Sequence, residues 1–382
     1  MGDVGGRLQK LDSVRGIAAL MVVVAHCCGG RLSEIVVGLH LWPLQIFWDA
    51  FGAVSMFFIL SGYVLALQIN SHKVTTYSGF VIRRFFRIWP AFAVVIILTS
   101  MLFLAARYIE LQMADVSPLL LPSVNTYSVL ANLLMIGEQN AIDPPVWTLY
   151  VEMRVSLLFP LIMILVCRAN LYVAVFVGLA YSVLASRLVH AGLGPAIDEF
   201  ADTSRFVWLF VIGAALAVPN NPIVRAFDKL NGSARAMILI LGICIVLYQD
   251  APWPLLGRNY ISSLGVVLIF LVCLRSPTAE RLLDRPILLF LGRISYGLYL
   301  VHYPIVVFVL GTTALPHLVA TAIIIPASIV AAWALFVLVE RPMMDLGRNL
   351  STRMSTAQSM TGIIRHTPLA KPPPSPCRDE PR

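Results

Sequence analysis

Charge is what this sequence has least of. Asp, Glu, Lys and Arg together make up 13% of its 382 residues, where soluble domains carry about a quarter, and that deficit excludes an ordinary water-soluble domain. Cysteine is thin too. The six, Cys27, Cys28, Cys167, Cys244, Cys273 and Cys377, lie mostly within or at the ends of apolar segments and show no CxxC spacing, so neither a disulfide framework nor a metal site is expected. The net charge is +8, yet the bases form no continuous patch. They fall into short loops between apolar runs, which speaks for membrane sorting and against nucleic acid. Also missing is an internal repeat with matched broken helices, the pattern of many secondary transporters.

What fills the sequence is apolar: 59% of residues are hydrophobic and the mean hydropathy is +0.83. The fold class expected is all-α, a polytopic membrane protein of about ten transmembrane helices. The spans are read at Leu11–Gly30, Phe47–Gln68, Ala91–Ala106, Trp147–Cys167, Leu171–His190, Phe206–Val218, Ala236–Tyr248, Tyr260–Leu274, Ile287–Gly311 and Leu318–Glu340, near the length a bilayer demands. Lys73, Arg83, Arg84 and Arg87 precede the third span with no acid among them and mark the cytoplasmic side. Glu110, Asp115, Glu138 and Asp143 mark residues 107–146 as extracytoplasmic, with the apolar piece Tyr127–Ile136 dipping back to the membrane surface. On this topology all 28 Lys and Arg except Arg31, Arg107, Arg154, Arg187, Arg205 and Arg258 are cytoplasmic, as are both termini. Residues 1–10 are then a cytoplasmic segment and 11–342 the integral-membrane domain. Residues 343–382, polar and closing on TPLAKPPPSPCRDEPR, are a disordered cytoplasmic tail.

The first apolar helix, LDSVRGIAALMVVVAHCCGG, organises the rest. Its uncharged, His-free stretch, Gly16–Ala25, is too short to cross a hydrocarbon core, which takes about 20 residues. To span, the helix must carry Asp12, Arg15 and His26 with it. His26 follows Arg15 by three helical turns, about 16 Å of rise, and Asp12 lies about 40° away on the same face. Ionisable groups inside a membrane helix are costly and tend to face a cavity or a partner. Each has a plainer reading: Arg15 snorkels to a headgroup, and His26 bonds across the bundle as a neutral ring. A cleaved signal peptide fits poorly, because His26, Cys27 and Cys28 occupy the place of the small-residue cleavage site.

Three further constellations stand out. Arg84 and Arg87, at i and i+3 where a helix enters the membrane at Trp89–Pro90, can face one anionic ligand or merely mark topology. Glu152, in PPVWTLYVE, is either functional or an ion-pair partner for Arg154 or for an arginine of another helix. Ser295, Tyr299 and His302, at i, i+4 and i+7 in SYGLYLVHYP, give one helix a polar face. The hydroxyls there read as packing contacts and His302 as a second buried histidine. Glu340, before Arg341 and Pro342, reads as an interfacial cap.

LDSVRGIAALMVVVAH, FFILSG, RRFFRIWP, PPVWTLYVE, SYGLYLVHYPI and the terminal ERP resemble, in order, the motifs of the bacterial membrane-bound acyltransferase-three family, over residues 11–342. The resemblance implies transfer of acetyl or another acyl group, usually from acyl-CoA, to hydroxyls of cell-surface polysaccharides, lipid-linked glycans, peptidoglycan or macrolides. It places the family's functional histidine on His26, its first-helix arginine on Arg15, its arginine pair on Arg84 and Arg87, and its glutamate on Glu152. Some members carry an added C-terminal hydrolase-like domain for the acceptor, for which this sequence shows no counterpart.

The expectation is therefore an O-acyltransferase of the inner (cytoplasmic) membrane. His26 serves as general base or transient acyl carrier. Arg84 and Arg87 bind the acyl-CoA phosphates, Arg15 lines the path between them and His26, and Glu152 orients His26 or the acceptor. No tightly bound cofactor and no metal is expected; the partners are acyl-CoA, a hydroxyl-bearing glycan and the lipid bilayer. The competing class is a proton-coupled transporter or glycan exporter in which Asp12, His26 and Glu152 relay protons.

Overall fold

The structure, a computed structural model, describes residues 4–38, 42–70, 76–108, 124–136, 142–189, 194–248, 257–313 and 315–363. Among these residues there is no strand. The helices are α1 (Val4–Gly38), α2 (Ala50–Asn70), α3 (Tyr77–Tyr108), α4 (Thr126–Leu133), α5 (Trp147–Arg168), α6 (Leu171–Val189), α7 (Pro195–Ser204), α8 (Val207–Leu216), α9 (Pro222–Asp228), α10 (Gly232–Leu247), α11 (Gly257–Arg275), α12 (Pro277–Leu283), α13 (Pro286–Thr312), α14 (His317–Leu335) and α15 (Arg341–Ile363). Six segments among the described residues are long and apolar enough to cross a membrane, seven if α11 and α12, bent by 82°, form one span. The protein is all-helical and multi-pass.

Several expected spans take another form. Phe206–Val218 becomes α8, ten residues long with Trp208 to Leu216 all buried, so at 1.5 Å per residue it is a core helix too short for a bilayer. An all-round apolar sequence reads alike in either setting. Ala236–Tyr248 becomes the sixteen-residue α10. The third span starts earlier than expected, since α3 runs from Tyr77 through Pro90 to Tyr108 and places Arg83, Arg84 and Arg87 on the helix itself. The loop acids Glu110, Asp115 and Glu138, and Lys73, lie outside the described residues. The apolar piece expected at Tyr127–Ile136 is α4, started by a capping box between Asn125 and Ser128. Cys167, at the end of α5, is disulfide-bonded, which the cysteine spacing did not foretell, whereas Cys27, Cys244 and Cys273 form no disulfide.

The chain forms two compact units. The first comprises residues 1–57, 92–148 and 226–336, with α1 held along its length by α12 and α13. Ser13 donates to the Leu283 carbonyl at 2.7 Å and Lys10 pairs with Glu280. One turn on, α1 and α13 meet through Gly16 and Gly292: a Cβ on Gly16 would lie 2.6 Å from the Gly292 backbone nitrogen, so only glycine permits this approach. Beyond that crossing Ala19, Val23 and Cys27 of α1 pack with Leu291, Ile294 and Leu298 of α13 and with Ala320 and Ile324 of α14. Such packing fixes the rotation of α1 and therefore the direction of His26.

The second unit comprises residues 58–91, 149–225 and 337–382. Gly62 of α2 abuts α8, where a Cβ would come within 2.7 Å of the Phe210 Cα. The Ser182 hydroxyl accepts from the Trp208 N–H at 3.2 Å, satisfying one of the open donors at the start of α8. Residues 343–382 were expected to be irregular, yet the helix continues as α15 to Ile363. The cause is the first turns of α3. Arg83 donates to Ser351 at 3.0 Å, Gly347 admits the Phe86 ring, and Arg87 donates to the Met344 sulfur at 3.7 Å. A π-helical turn, Phe336–Glu340, links α14 to α15 and buries Glu340, which is 5% exposed. Residues 364–382 lie outside the described residues.

Candidate functional site

In the first unit, His26 of α1 and His302 of α13 face each other with ring centroids 5.1 Å apart. Their hydrogen bonds fix both tautomers. Nδ1 of His302 lies 2.7 Å from the Tyr299 carbonyl and 3.2 Å from that of Leu298, and a carbonyl only accepts, so this nitrogen carries the proton. Nε2 of neutral His302 is then an acceptor. It lies 3.3 Å from Nδ1 of His26, which is also 2.9 Å from the Val22 carbonyl. Both neighbours of that nitrogen accept, so Nδ1 of His26 carries a shared proton. Nε2 of His26 is left as a lone pair with no protein partner among the described residues, which is the form a general base requires.

Tyr303 stands edge-on to His26, with centroids 5.5 Å apart. One turn earlier on α13, the Tyr299 hydroxyl donates to the Pro145 carbonyl at 2.8 Å and accepts from Thr148 at 2.8 Å. That clasp docks the 3-10 turn Pro144–Val146 and the first residues of α5 against α13. It also seats Asp143, which precedes the two prolines. Asp143 is 0% exposed. Neither of its carboxyl oxygens has a hydrogen-bond partner among the described residues, and burial pushes the carboxyl well above the usual carboxylate range.

Arg15 lies three turns from His26 along α1, about 16 Å by helix rise, and reaches Asp12 at 3.2 Å. The Arg15 side chain is 11% exposed and that of Asp12 43%. The first-helix charges therefore neutralise each other at one end, and His26 works with α13 at the other.

The second unit gathers two more of the expected residues. Nη2 of Arg84 donates to the Glu152 carboxylate at 2.8 Å, and the Ser61 hydroxyl donates to the same oxygen at 2.9 Å. Nε and Nη2 of Arg84 lie 3.1 and 2.8 Å from the Ser156 hydroxyl. Glu152 thus pairs with an arginine of another helix, while Arg154 turns to Glu199 and Thr203. Arg84 and Arg87 share the start of α3 but diverge. Arg84, 4% exposed, points at α5, and Arg87 points at α15, where its one polar contact among the described residues is the Met344 thioether.

Spacing alone had brought His302 forward, but Asp143, Tyr303 and Ser156 went unread. Tyr303 directly follows His302, and Ser156 stands four residues after Glu152, so both were available as neighbours of flagged positions. Asp143 had served only as a topology marker. Among the described residues no three of His, Cys, Asp and Glu gather closely enough to hold a metal ion.

Comparison with known proteins places the chain among acyltransferases. O-acetyltransferase OatA of Staphylococcus aureus strain NCTC 8325 is 27% identical over 328 residues, which is 79% of this chain and 53% of that protein. A putative O-acetyltransferase of S. aureus strain COL is 25% identical over 325 residues, 79% of this chain and 51% of that protein. The chain thus spans about half the length of the curated relatives it matches. No solved structure matches it. The family model described as an acyltransferase domain matches residues 8–338, and the chain belongs to that acyltransferase-three family.

Proposed function

We propose that this protein transfers an acyl group, acetyl in the first instance, from acyl-CoA to a hydroxyl of a cell-surface glycan at the inner membrane. The observation that carries the reading is the setting of the His26 ring: Nδ1 faces two acceptors, the Val22 carbonyl and Nε2 of His302, which leaves Nε2 of His26 as a lone pair with no partner among the described residues. In the proposed step Nε2 of His26 accepts the proton of the acceptor hydroxyl as its oxygen attacks the thioester carbonyl. The tetrahedral intermediate collapses, the C–S bond breaks, and the proton passes from Nε2 to the departing CoA thiolate. While His26 is cationic, its Nδ1–H faces two acceptors, the Val22 carbonyl and Nε2 of His302, which stabilise the imidazolium.

Arg87 is proposed to meet a CoA phosphate, because its one described polar contact is a thioether that any phosphate would outcompete. Arg84 and Glu152 are proposed to shape the donor site as a pair, and Arg15 to line the route towards His26. The distribution of bases supports the orientation assigned to this scheme, with both termini and the arginine entrance cytoplasmic. A proton-relay transporter has less to stand on, since Asp12 and Glu152 are each engaged by an arginine.

The test uses the full chain in lipid nanodiscs, without any ion gradient, given labelled acetyl-CoA and a crude surface-glycan fraction. Label should move to the glycan, and acetyl-CoA alone should leave none on the protein. Label that accumulates on His26 and chases to added glycan would replace the general base by an acyl-histidine. No transfer to any fraction would overturn the proposal.

A further inference from the structure

We infer that Asp143 is an acceptor-binding residue: its carboxyl receives a hydroxyl neighbouring the one acylated at His26, which suits the site to a sugar with vicinal hydroxyls rather than to a simple alcohol. The inference rests on the acyl-transfer reading for the identity of its ligand. Its observations are its own.

The carboxyl is wholly buried and both oxygens lack a partner among the described residues. A buried polar group left unpaired costs stability, and an apolar side chain of the same size would serve the fold better. Its backbone is not free to turn away either. Pro144 and Pro145 fix the next two φ angles, and the Pro145 carbonyl is held by Tyr299 at 2.8 Å, with Thr148 bonded to the same hydroxyl at 2.8 Å. Tyr299, which holds the turn that follows Asp143, has its ring 5.7 Å from that of His302, and His302 faces His26 with centroids 5.1 Å apart. The turn that seats Asp143 and the His26 ring therefore pack against the same stretch of α13.

Each offers what the other lacks. Nε2 of His26 takes a single hydrogen bond, from the hydroxyl that loses its proton. The Asp143 carboxyl has hydrogen-bonding positions on both oxygens that no described residue fills. A mono-alcohol at His26 leaves Asp143 as unpaired as before. A sugar fills both, because the hydroxyl beside the reacting one donates to Asp143 and holds the ring while its neighbour is acylated. A group that lowers fold stability and completes its bonding only with a ligand is the signature of a binding residue.

The experiment reads binding without turnover. Diethyl pyrocarbonate acylates neutral imidazole, and peptide mass spectrometry gives the rate at His26 in the full chain in nanodiscs. The probes are methyl pyranosides of gluco, manno and galacto configuration, with 1-propanol as the single-hydroxyl control. At least one pyranoside should protect His26 in the wild type and propanol should not. Asp143→Leu should raise the half-protecting pyranoside concentration by about tenfold or more, the loss of one hydrogen bond, while unfolding at the same or a higher temperature. Asp143→Asn, which keeps the shape and one acceptor, should fall between and serves as the variant if Leu does not insert.

Protection that survives Asp143→Leu unchanged, protection by propanol equal to that by pyranosides, or no protection of the wild type by any pyranoside would each overturn the inference. Asp143-dependent protection by a sugar that is never acetylated from acetyl-CoA would leave the binding residue standing and overturn the reaction assigned to His26.

Discussion

Around Arg84 the polar contacts close on one another: the guanidinium meets Glu152 and Ser156, and Ser61 adds a second donor to the same carboxylate. Around His26 they stop short, with one ring nitrogen and a wholly buried Asp143 carboxyl lacking a partner among the described residues. Both clusters place titratable side chains in an apolar chain, where such groups are costly. A saturated cluster needs no ligand to account for its residues, so it holds structure and orients. An unsaturated one has hydrogen-bonding positions left over for a ligand. The family resemblance ranks Arg84, Glu152 and His26 alike as functional; the hydrogen bonds divide them.

The largest effect expected from this division is on stability in the second unit. Arg84→Met strands the Glu152 carboxylate in the interior, and removing one partner of a buried pair costs about 3–5 kcal/mol. Thermal unfolding in detergent should show a large fall in Tm, and the double variant Arg84→Met with Glu152→Leu should recover much of it. A wild-type Tm in Arg84→Met together with lost acyl-CoA binding would reverse the assignment and make that cluster a ligand site.

Next in size is His26→Ala. It removes a partly buried ring whose described contacts are the Val22 carbonyl, His302 and the edge of Tyr303, so the protein should insert and keep nearly its wild-type Tm. Acyl transfer should still fall by at least about 10²-fold, the usual cost of losing a positioned base. A Tm loss as large as that of Arg84→Met would break the contrast between the clusters.

Arg87→Gln probes the boundary within a single motif. Arg84 and Arg87 are one helical turn apart, yet Arg87 has only the Met344 sulfur as a described polar contact. Acyl-CoA binding should weaken by about 1.5–3 kcal/mol, the range for a hydrogen bond to a charged group, with Tm unchanged. Arg87→Lys should restore part of it, since an ammonium supplies the charge without the planar fork. Isothermal titration with acetyl-CoA decides it. Normal binding by Arg87→Gln would reduce that arginine to a topology marker.

The sequence carried the helices and the site only as far as local pattern reaches. His26 is legible because a first helix with so short an uncharged stretch has to bring an imidazole into the membrane, and His302 because its polar face repeats at i, i+4 and i+7. Their meeting is a tertiary fact that depends on Gly16 and Gly292 letting two backbones touch. In the sequence Asp143 reads as one of the acids that mark an extracytoplasmic connection, since nothing in its neighbours says that Tyr299 will clasp Pro145 and take the carboxyl inside with it. The same limit explains α8 and α15. Hydropathy records how apolar a segment is, and a core helix such as Val207–Leu216 scores like a lipid-facing one. The polarity of residues 341–363 records that they avoid lipid, and leaves open that they lie on the Arg83, Phe86 and Arg87 face of α3.

The smallest effect, and the one that sharpens the contrast furthest, belongs to His302. It is wholly buried, and its Nε2 is the second acceptor for the Nδ1 proton of His26. With His302→Leu that proton keeps only the Val22 carbonyl, whose bond is local to α1. The His26 ring is then freer to swap tautomers, and each molecule in the wrong form has no lone pair where the hydroxyl arrives. Transfer should fall by about tenfold, the worth of one hydrogen bond, with donor binding unchanged. His302→Gln places an amide oxygen within reach of the same proton and should restore part of the rate. Nitrogen-15 NMR of histidine-labelled protein supplies a readout that a purely structural role would leave still. In the wild type His26 should show a protonated Nδ1 and a bare Nε2, in His302→Leu a mixture of the two forms, and in His302→Gln a return towards the first. A single unchanged tautomer in His302→Leu, with a tenfold slower transfer, would mean that Val22 alone sets the ring and that His302 acts through packing.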